Sequence, residues 1–112
     1  MRNLNLLVLR SPDIERTSRF YEYFGMTFTR HAHGAGPEHF AHEDERGVFE
    51  IYPAKQGDAP DKTGLGFAVD DLVDMHAKLA RYQPQAISEN QWGKTFVVRD
   101  PDGRRVEVKQ RS

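Results

Sequence analysis

Phe96-Val97-Val98-Arg99-Asp100-Pro101-Asp102-Gly103-Arg104-Arg105-Val106-Glu107-Val108 is the stretch that decides how this chain is read. Two short apolar runs flank Asp-Pro-Asp-Gly and predict a hairpin. Pro101 presets φ for the first inner turn position, and Gly103 tolerates the exit. The second strand, from Arg104 to Lys109, alternates Arg105, Glu107 and Lys109 on one face with Val106 and Val108 on the other. A carboxylate opposite a valine pair needs water, a cation or a donor on its own face. The same layout occurs earlier in Val48-Phe49-Glu50-Ile51-Tyr52, again a glutamate inside an apolar strand.

The chain outside that stretch is bounded by its composition. Its 112 residues fit a single domain, and its net charge of −1 carries neither a basic stripe for nucleic acid nor a charge block. Cysteine is absent, which excludes disulfides, zinc–thiolate sites and cysteine nucleophiles and fits a reducing compartment. No apolar run approaches the roughly 18 residues of a membrane span, and the N-terminus has no long apolar leader. The expectation is a soluble cytoplasmic protein with neither a membrane nor a nucleic-acid partner.

Read in order, Leu4 to Arg10 is a strand with apolar residues on both faces, hence central, with a helix on one side. Ser11-Pro12-Asp13 opens a helix, with Ser11 as cap and Pro12 at the first helical position. Ile14, Thr17, Phe20, Tyr21 and Phe24 recur at helical spacing as its buried stripe, and Gly25 stops it. Met26 to Arg30 reads as a strand and His31 to Pro37 as a Gly-rich loop. That loop lacks the lysine, the Ser/Thr and the following helix of a phosphate loop. Glu38 to Glu43 and Val48 to Tyr52 form a hairpin across Asp44-Glu45-Arg46-Gly47, and Pro53 to Thr63 is polar. Gly64 to Val69 is the next strand. Asp70 and Asp71 cap a second helix with Leu72, Met75, His76 and Leu79 on one stripe, ended by Pro84. Strands follow at Ala86 to Ser88, Lys94 to Arg99 and Arg104 to Lys109.

The two halves repeat. Leu6 to Ile14 matches Gly64 to Leu72 at an offset of 58, and Glu50 matches Glu107 at an offset of 57. A repeated supersecondary unit decides the architecture. The expected fold is α+β: two βαβββ modules, residues 1–54 and 64–112, joined by a linker over 55–63 within one domain. Together they form an open, barrel-like mixed sheet around a cleft, with helices outside. Both glutamates are expected on the concave face.

On this pattern the chain resembles the glyoxalase, bleomycin-resistance and extradiol dioxygenase superfamily, the vicinal oxygen chelate proteins. The matching text is Leu7-Val8-Leu9-Arg10-Ser11-Pro12-Asp13 with Phe20-Tyr21 and Phe24-Gly25, Phe49-Glu50-Ile51-Tyr52-Pro53, Gly66-Phe67-Ala68-Val69-Asp70-Asp71-Leu72, and Asp100-Pro101-Asp102-Gly103 with Val106-Glu107. The resemblance implies paired βαβββ modules and commonly a homodimer. In metal-using members it implies four ligand positions, one near the start of each module's first strand and one on each module's last strand. Here the last-strand positions are Glu50 and Glu107, but the first-strand positions are Leu6 and Gly64, which carry no donor.

The candidate ligand pocket read from the sequence is Leu6, Val8, Arg10, His39, Glu50, Tyr52, Gly64, Trp92 and Glu107. His39 shares a face with Ala41, Glu50 and Tyr52 if the hairpin pairs Ala41 with Glu50; a slip of one residue puts Phe40 and His42 there instead. Arg10 shares the face of Leu6 and Val8 and is placed to meet an anion. Arg10 or Arg105 is a candidate to neutralise the glutamates. His31 and His33 read as exposed loop residues, His42 as solvated beside a turn, and His76 as a packed, hydrogen-bonded core histidine. Trp92 reads as a pocket edge, a dimer contact or core.

Two functions follow. One is binding of a small organic ligand without the full metal site and without a cofactor. The other is a lyase, isomerase or dioxygenase that uses Mn, Ni, Zn or Fe held by Glu50, Glu107 and His39. An interaction module is a third class, favoured by nothing beyond dimerisation.

Overall fold

The computed structural model describes residues 3–55, 57–59 and 61–112. Met1 and Arg2, together with Gln56 and Pro60 of the expected linker, lie outside the described residues. The chain divides into two compact units, Met1–Pro60 and Asp61–Ser112. Each is a βαβββ module: β1 (Leu6–Ser11), α1 (Ile14–Glu22), β2 (Thr29–His31), β3 (His39–Asp44) and β4 (Gly47–Pro53), then β5 (Leu65–Val69), α2 (Leu72–Lys78), β6 (Ser88–Asn90), β7 (Gly93–Arg99) and β8 (Arg105–Gln110). The strands form two mixed four-stranded sheets, ordered β1-β4-β3-β2 and β5-β8-β7-β6. In each, the first strand runs parallel to the last and the remaining pairs are antiparallel.

In the first module, Leu9, Phe20, Tyr21 and Ile51 are buried between α1 and one face of the sheet. Each such side chain contributes about 1.5–3 kcal/mol by leaving water. Tyr21 meets Phe20 edge-on at 4.9 Å and Phe49 at 5.1 Å. The cap of α1 is Asp13, whose side chain accepts from Arg16 N–H at 3.0 Å, not Ser11. Ser11 is the last residue of β1 and alternates with Leu9 toward the helix. Its buried hydroxyl therefore meets Thr17 Oγ1 at 2.8 Å, and Pro12 falls before the cap rather than inside the helix.

The expected strand Met26 to Arg30 shrinks to Thr29–His31, because only those residues pair with β3. Thr27's backbone lies 3.1 Å from His42 Nδ1 instead. His42 is thus not a solvated residue: it points to the helix side of the sheet, with Nε2 3.1 Å from Asp44. Asp44 is held below the usual carboxylate range, first by the Arg46 N–H and then by His42. Gly47 sits at φ +140°, where a Cβ would collide with the Asn5 backbone, so this turn admits no side chain.

In the second module, Leu72, Leu79, Phe96, Val98, Val106 and Val108 form the core. Asp71 caps α2 by accepting from Asp74 N–H at 3.0 Å. Gln110 stitches the helix start to β8: its Oε1 accepts from Leu72 N–H at 2.9 Å, and its Nε2 donates to Asp70 O at 2.7 Å. The helix stops at Lys78, earlier than expected, and a 3-10 turn covers Ala80–Tyr82. Gln83 then takes φ +55° ahead of Pro84, whose ring disfavours a helical predecessor. His76 stands edge-on to Phe96 at 4.9 Å, with Nε2 2.9 Å from Gln85 O. Gly64 precedes β5, and the expected strand at Ala86 to Ser88 moves to Ser88–Asn90, the residues that pair with β7.

The Asp-Pro-Asp-Gly turn holds a group that the alternation pattern hides. Arg104, expected to open the last strand, lies in the turn and is 2 % exposed. Its Nε and Nη2 donate to both oxygens of Asp61 at 2.8 and 2.7 Å, and its Nη1 donates to Asp100 at 3.0 Å and Asp102 at 3.1 Å. Burial alone would lower the Arg104 pKa; the hydrogen bonds and charges of Asp61 and Asp100 outweigh it and raise it. Arg104's hydrogen bond in turn draws Asp61 down to about 2. The end of the polar segment is thereby tied to the second module's hairpin.

Candidate functional site

Strand alternation gives each sheet one face under its helix and one face free of it. On the helix-free face of the first module, the ladder aligns side chains in transverse rows. Ala41 pairs with Glu50, the register that puts His39 beside Glu50 and Tyr52 and turns Phe40 and His42 to the helix side. One row runs Val8, Glu50, Ala41, Thr29. The next runs Arg10, Tyr52, His39, His31, one residue from each of the four strands.

That second row is a stack of flat groups. The Arg10 guanidinium lies over the Tyr52 ring at 4.9 Å. Tyr52 and His39 are 4.0 Å apart and within 7° of parallel. His31 lies 5.8 Å from His39, and His33 lies 5.8 Å from His31 and 5.5 Å from His39. The His31-x-His33 pair therefore does not consist of two separate loop residues. His31 ends β2, and the Gly-rich loop folds His33 back beside it. The eight-residue spacing of His31 and His39 around a Gly-rich loop was the available signal.

His39 is 2 % exposed, with Nε2 3.3 Å from Glu50 Oε2 and Nδ1 3.3 Å from Pro37 O. The partner of Glu50 is thus an imidazole, and Arg10 is engaged with Tyr52. Leu6 and Val8 lie on the same face, 51 % and 39 % exposed. An apolar strip, a carboxylate and a row of stacked rings therefore share one surface.

The second module repeats the register with other chemistry. Gly66 pairs with Glu107, which pairs with Val97, the equivalent of the row through Glu50. The row matching Arg10, Tyr52 and His39 is Ala68, Lys109 and Thr95. Glu107 is half-exposed and reaches Arg105 at 3.4 Å. Gly64 has open space where a Cβ would be. Trp92 is 70 % exposed in the turn between β6 and β7 and is not a core residue; its place between two short paired segments leaves nothing to cover it within its own module.

The sequence matches the profile of the Glyoxalase/Bleomycin resistance protein/Dioxygenase superfamily over residues 3–108. The chain belongs to this superfamily. Among solved structures, an integron cassette protein from the mobile metagenome of V. cholerae is 26 % identical, covers 100 % of this chain and 97 % of its own, and superposes with a TM-score of 0.68. A bleomycin-binding protein complexed with bleomycin is 20 % identical, with 100 % of both chains covered and a TM-score of 0.66. A lactoylglutathione lyase from Agrobacterium tumefaciens is 17 % identical, covering 96 % of this chain and 92 % of its own, with a TM-score of 0.67. At the identities of the last two, the likeness is one of fold. None of the curated proteins matches.

Within the first module the donors for a metal ion are few. Leu6 and Gly64 offer none at two of the four positions. His39 and Glu50 supply one nitrogen and one oxygen, short of the three protein ligands a catalytic zinc site takes. Among the described residues, no three His, Asp or Glu side chains are grouped to hold an ion. Nor, among them, is any helix long and apolar enough to cross a membrane.

Proposed function

We propose that this protein binds a small organic ligand on the helix-free face of its first module, as a cytoplasmic homodimer of single-domain chains. The observation that carries the reading is the row Arg10–Tyr52–His39, whose rings lie 4.0 Å apart and nearly parallel beside the half-exposed apolar pair Leu6 and Val8. Flat side chains already ordered in a stack offer a ring-bearing ligand contact area at small entropic cost. Glu50 and Tyr52 are the polar groups that orient it, and His39 fixes both from below. Gly64, Trp92 and Glu107 belong to the second module and are not needed for this reading.

Thermal-shift screening against small aromatics, metabolites and antibiotics tests it. A ligand at about 100 times its Kd stabilises by about 2.7 kcal/mol. Hits should lose that shift in Tyr52→Ala and Glu50→Gln and keep it in Glu107→Gln. A flat screen, combined with turnover of an α-hydroxythioester or a catechol, overturns the reading. A stoichiometric metal found by elemental analysis of the purified protein replaces it with the metal-dependent alternative built on Glu50, Glu107 and His39.

A further inference from the structure

The second module's helix-free face poses a problem that its own residues leave unsolved. Arg99 and Arg105 stand directly opposite each other across β7 and β8. Asp100 N–H donates to Arg104 O, so the Arg99–Arg105 pair is the next one along, of the non-hydrogen-bonded kind whose side chains stand closest. Like charges at such a pair destabilise a sheet. Lys109 lies on the same face, opposite Thr95.

The available acids do not offset these cations. Asp100 and Asp102 are adjacent in the turn, but both are bound to the buried Arg104, on the other side of the ladder. Glu107 is the carboxylate on this face, and it reaches Arg105 alone, at 3.4 Å. Arg99 has a 3.4 Å contact to Gly103 O, at the long limit of a hydrogen bond. In the next row along this face, Gly66 stands opposite Glu107 and adds no side chain.

We propose that Arg99 and Arg105 together bind a small oxyanion, the phosphate or carboxylate group of a soluble metabolite, on the helix-free face of the second module. Both guanidinium groups make only long 3.4 Å contacts, and turned toward each other they match the paired oxygens of such a group, whose charge removes the repulsion between them. Lys109 adds a third positive charge to the same face. Every residue of this site belongs to the second module, and the proposal does not rest on the ring stack of the first.

The test is a titration of the intact chain with inorganic phosphate at constant ionic strength, read from backbone amide shifts, with acetate as a second arm. The expected result is saturable shifts centred on residues 97–107, weakened at least about tenfold in Arg99→Gln and in Arg105→Gln and unchanged in Arg81→Gln. Phosphate alone acting identifies a phosphate site; acetate acting equally identifies a carboxylate site. In anion-free buffer, Arg99→Gln should also melt higher than the natural chain, which a merely structural arginine would not produce. Shifts that do not saturate, that map elsewhere, or that survive both substitutions overturn the proposal.

Discussion

The two modules share a strand order, a ladder register and a capping device, yet they bury opposite kinds of polar group. The first buries an imidazole on its helix-free face, His39 against Tyr52 and Glu50. The second buries a guanidinium in its hairpin turn, Arg104 among three aspartates. In the first module the equivalent turn is solvent-facing: Arg46 is exposed, and only its backbone N–H meets Asp44. Duplication preserved what the backbone needs and left the side chains at matching positions to diverge. The module with an open, unclasped turn carries the ring stack. The module with the clasped turn carries a cross-strand pair of arginines.

Breaking the clasp should have the largest effect. Arg104→Met strands Asp100 and Asp102 without their buried partner and should cost about 3–5 kcal/mol, read by urea denaturation at neutral pH. Arg46→Met, which removes the exposed arginine of the first module's turn, should stay within about 0.5 kcal/mol. A large effect of both would mean that the turns are more alike than their burial indicates.

The helix caps should behave alike where the turns do not. Asp13→Ala and Asp71→Ala each remove a side chain that accepts from a backbone N–H at 3.0 Å. Each should cost about 1 kcal/mol in thermal or denaturant unfolding. Unequal losses would show that the duplicated cap has diverged as well.

Asp61 sharpens the comparison through pH. Its pKa is about 2 in the folded chain, against about 3.9 in an unfolded one. A lowered carboxylate pKa stabilises above the unfolded value, and that contribution is lost as pH falls through the folded value. Asp61→Asn should therefore cost about 1 kcal/mol at pH 7, after discounting for screening of a partly exposed carboxylate. The difference from the natural chain should shrink below about pH 4 and close as pH nears 2, as stability measured across that range would show. The smallest effect belongs to the exposed trio in the first module, where Arg30 bridges Glu15 and Glu38 at 2.7 and 2.6 Å. Arg30→Gln should change stability least of all these variants, and less still in high salt.

Period-2 alternation made most of the strands legible, and helical spacing made the stripes of both helices legible. Glu50 and Glu107 were readable as equivalents because each sits inside an apolar strand and their offset nearly matches that of the helix starts. The errors fell where a side chain competes with the backbone. Ser11 has the right chemistry for a cap but stands two residues before Asp13, which takes that role. His42 looked solvated beside its turn, yet the strand's pleat sends it to the helix side. Arg104 read only as the opening residue of a strand because nothing local reveals that Asp61, 43 residues earlier, returns to meet it.

By itself, then, the sequence determined the paired βαβββ plan, since hydrophobic period, turn chemistry and an internal repeat are all local signals that survive without coordinates. It also determined which carboxylates are equivalent. Only the tertiary structure decided that Ala41 pairs with Glu50, so that Arg10, Tyr52, His39 and His31 meet as one row. Only it decided, too, that Arg99 faces Arg105 across a hairpin. The physical reason is that a ladder of period two looks the same from the sequence in either register, while a shift of one residue exchanges every side chain between its two faces.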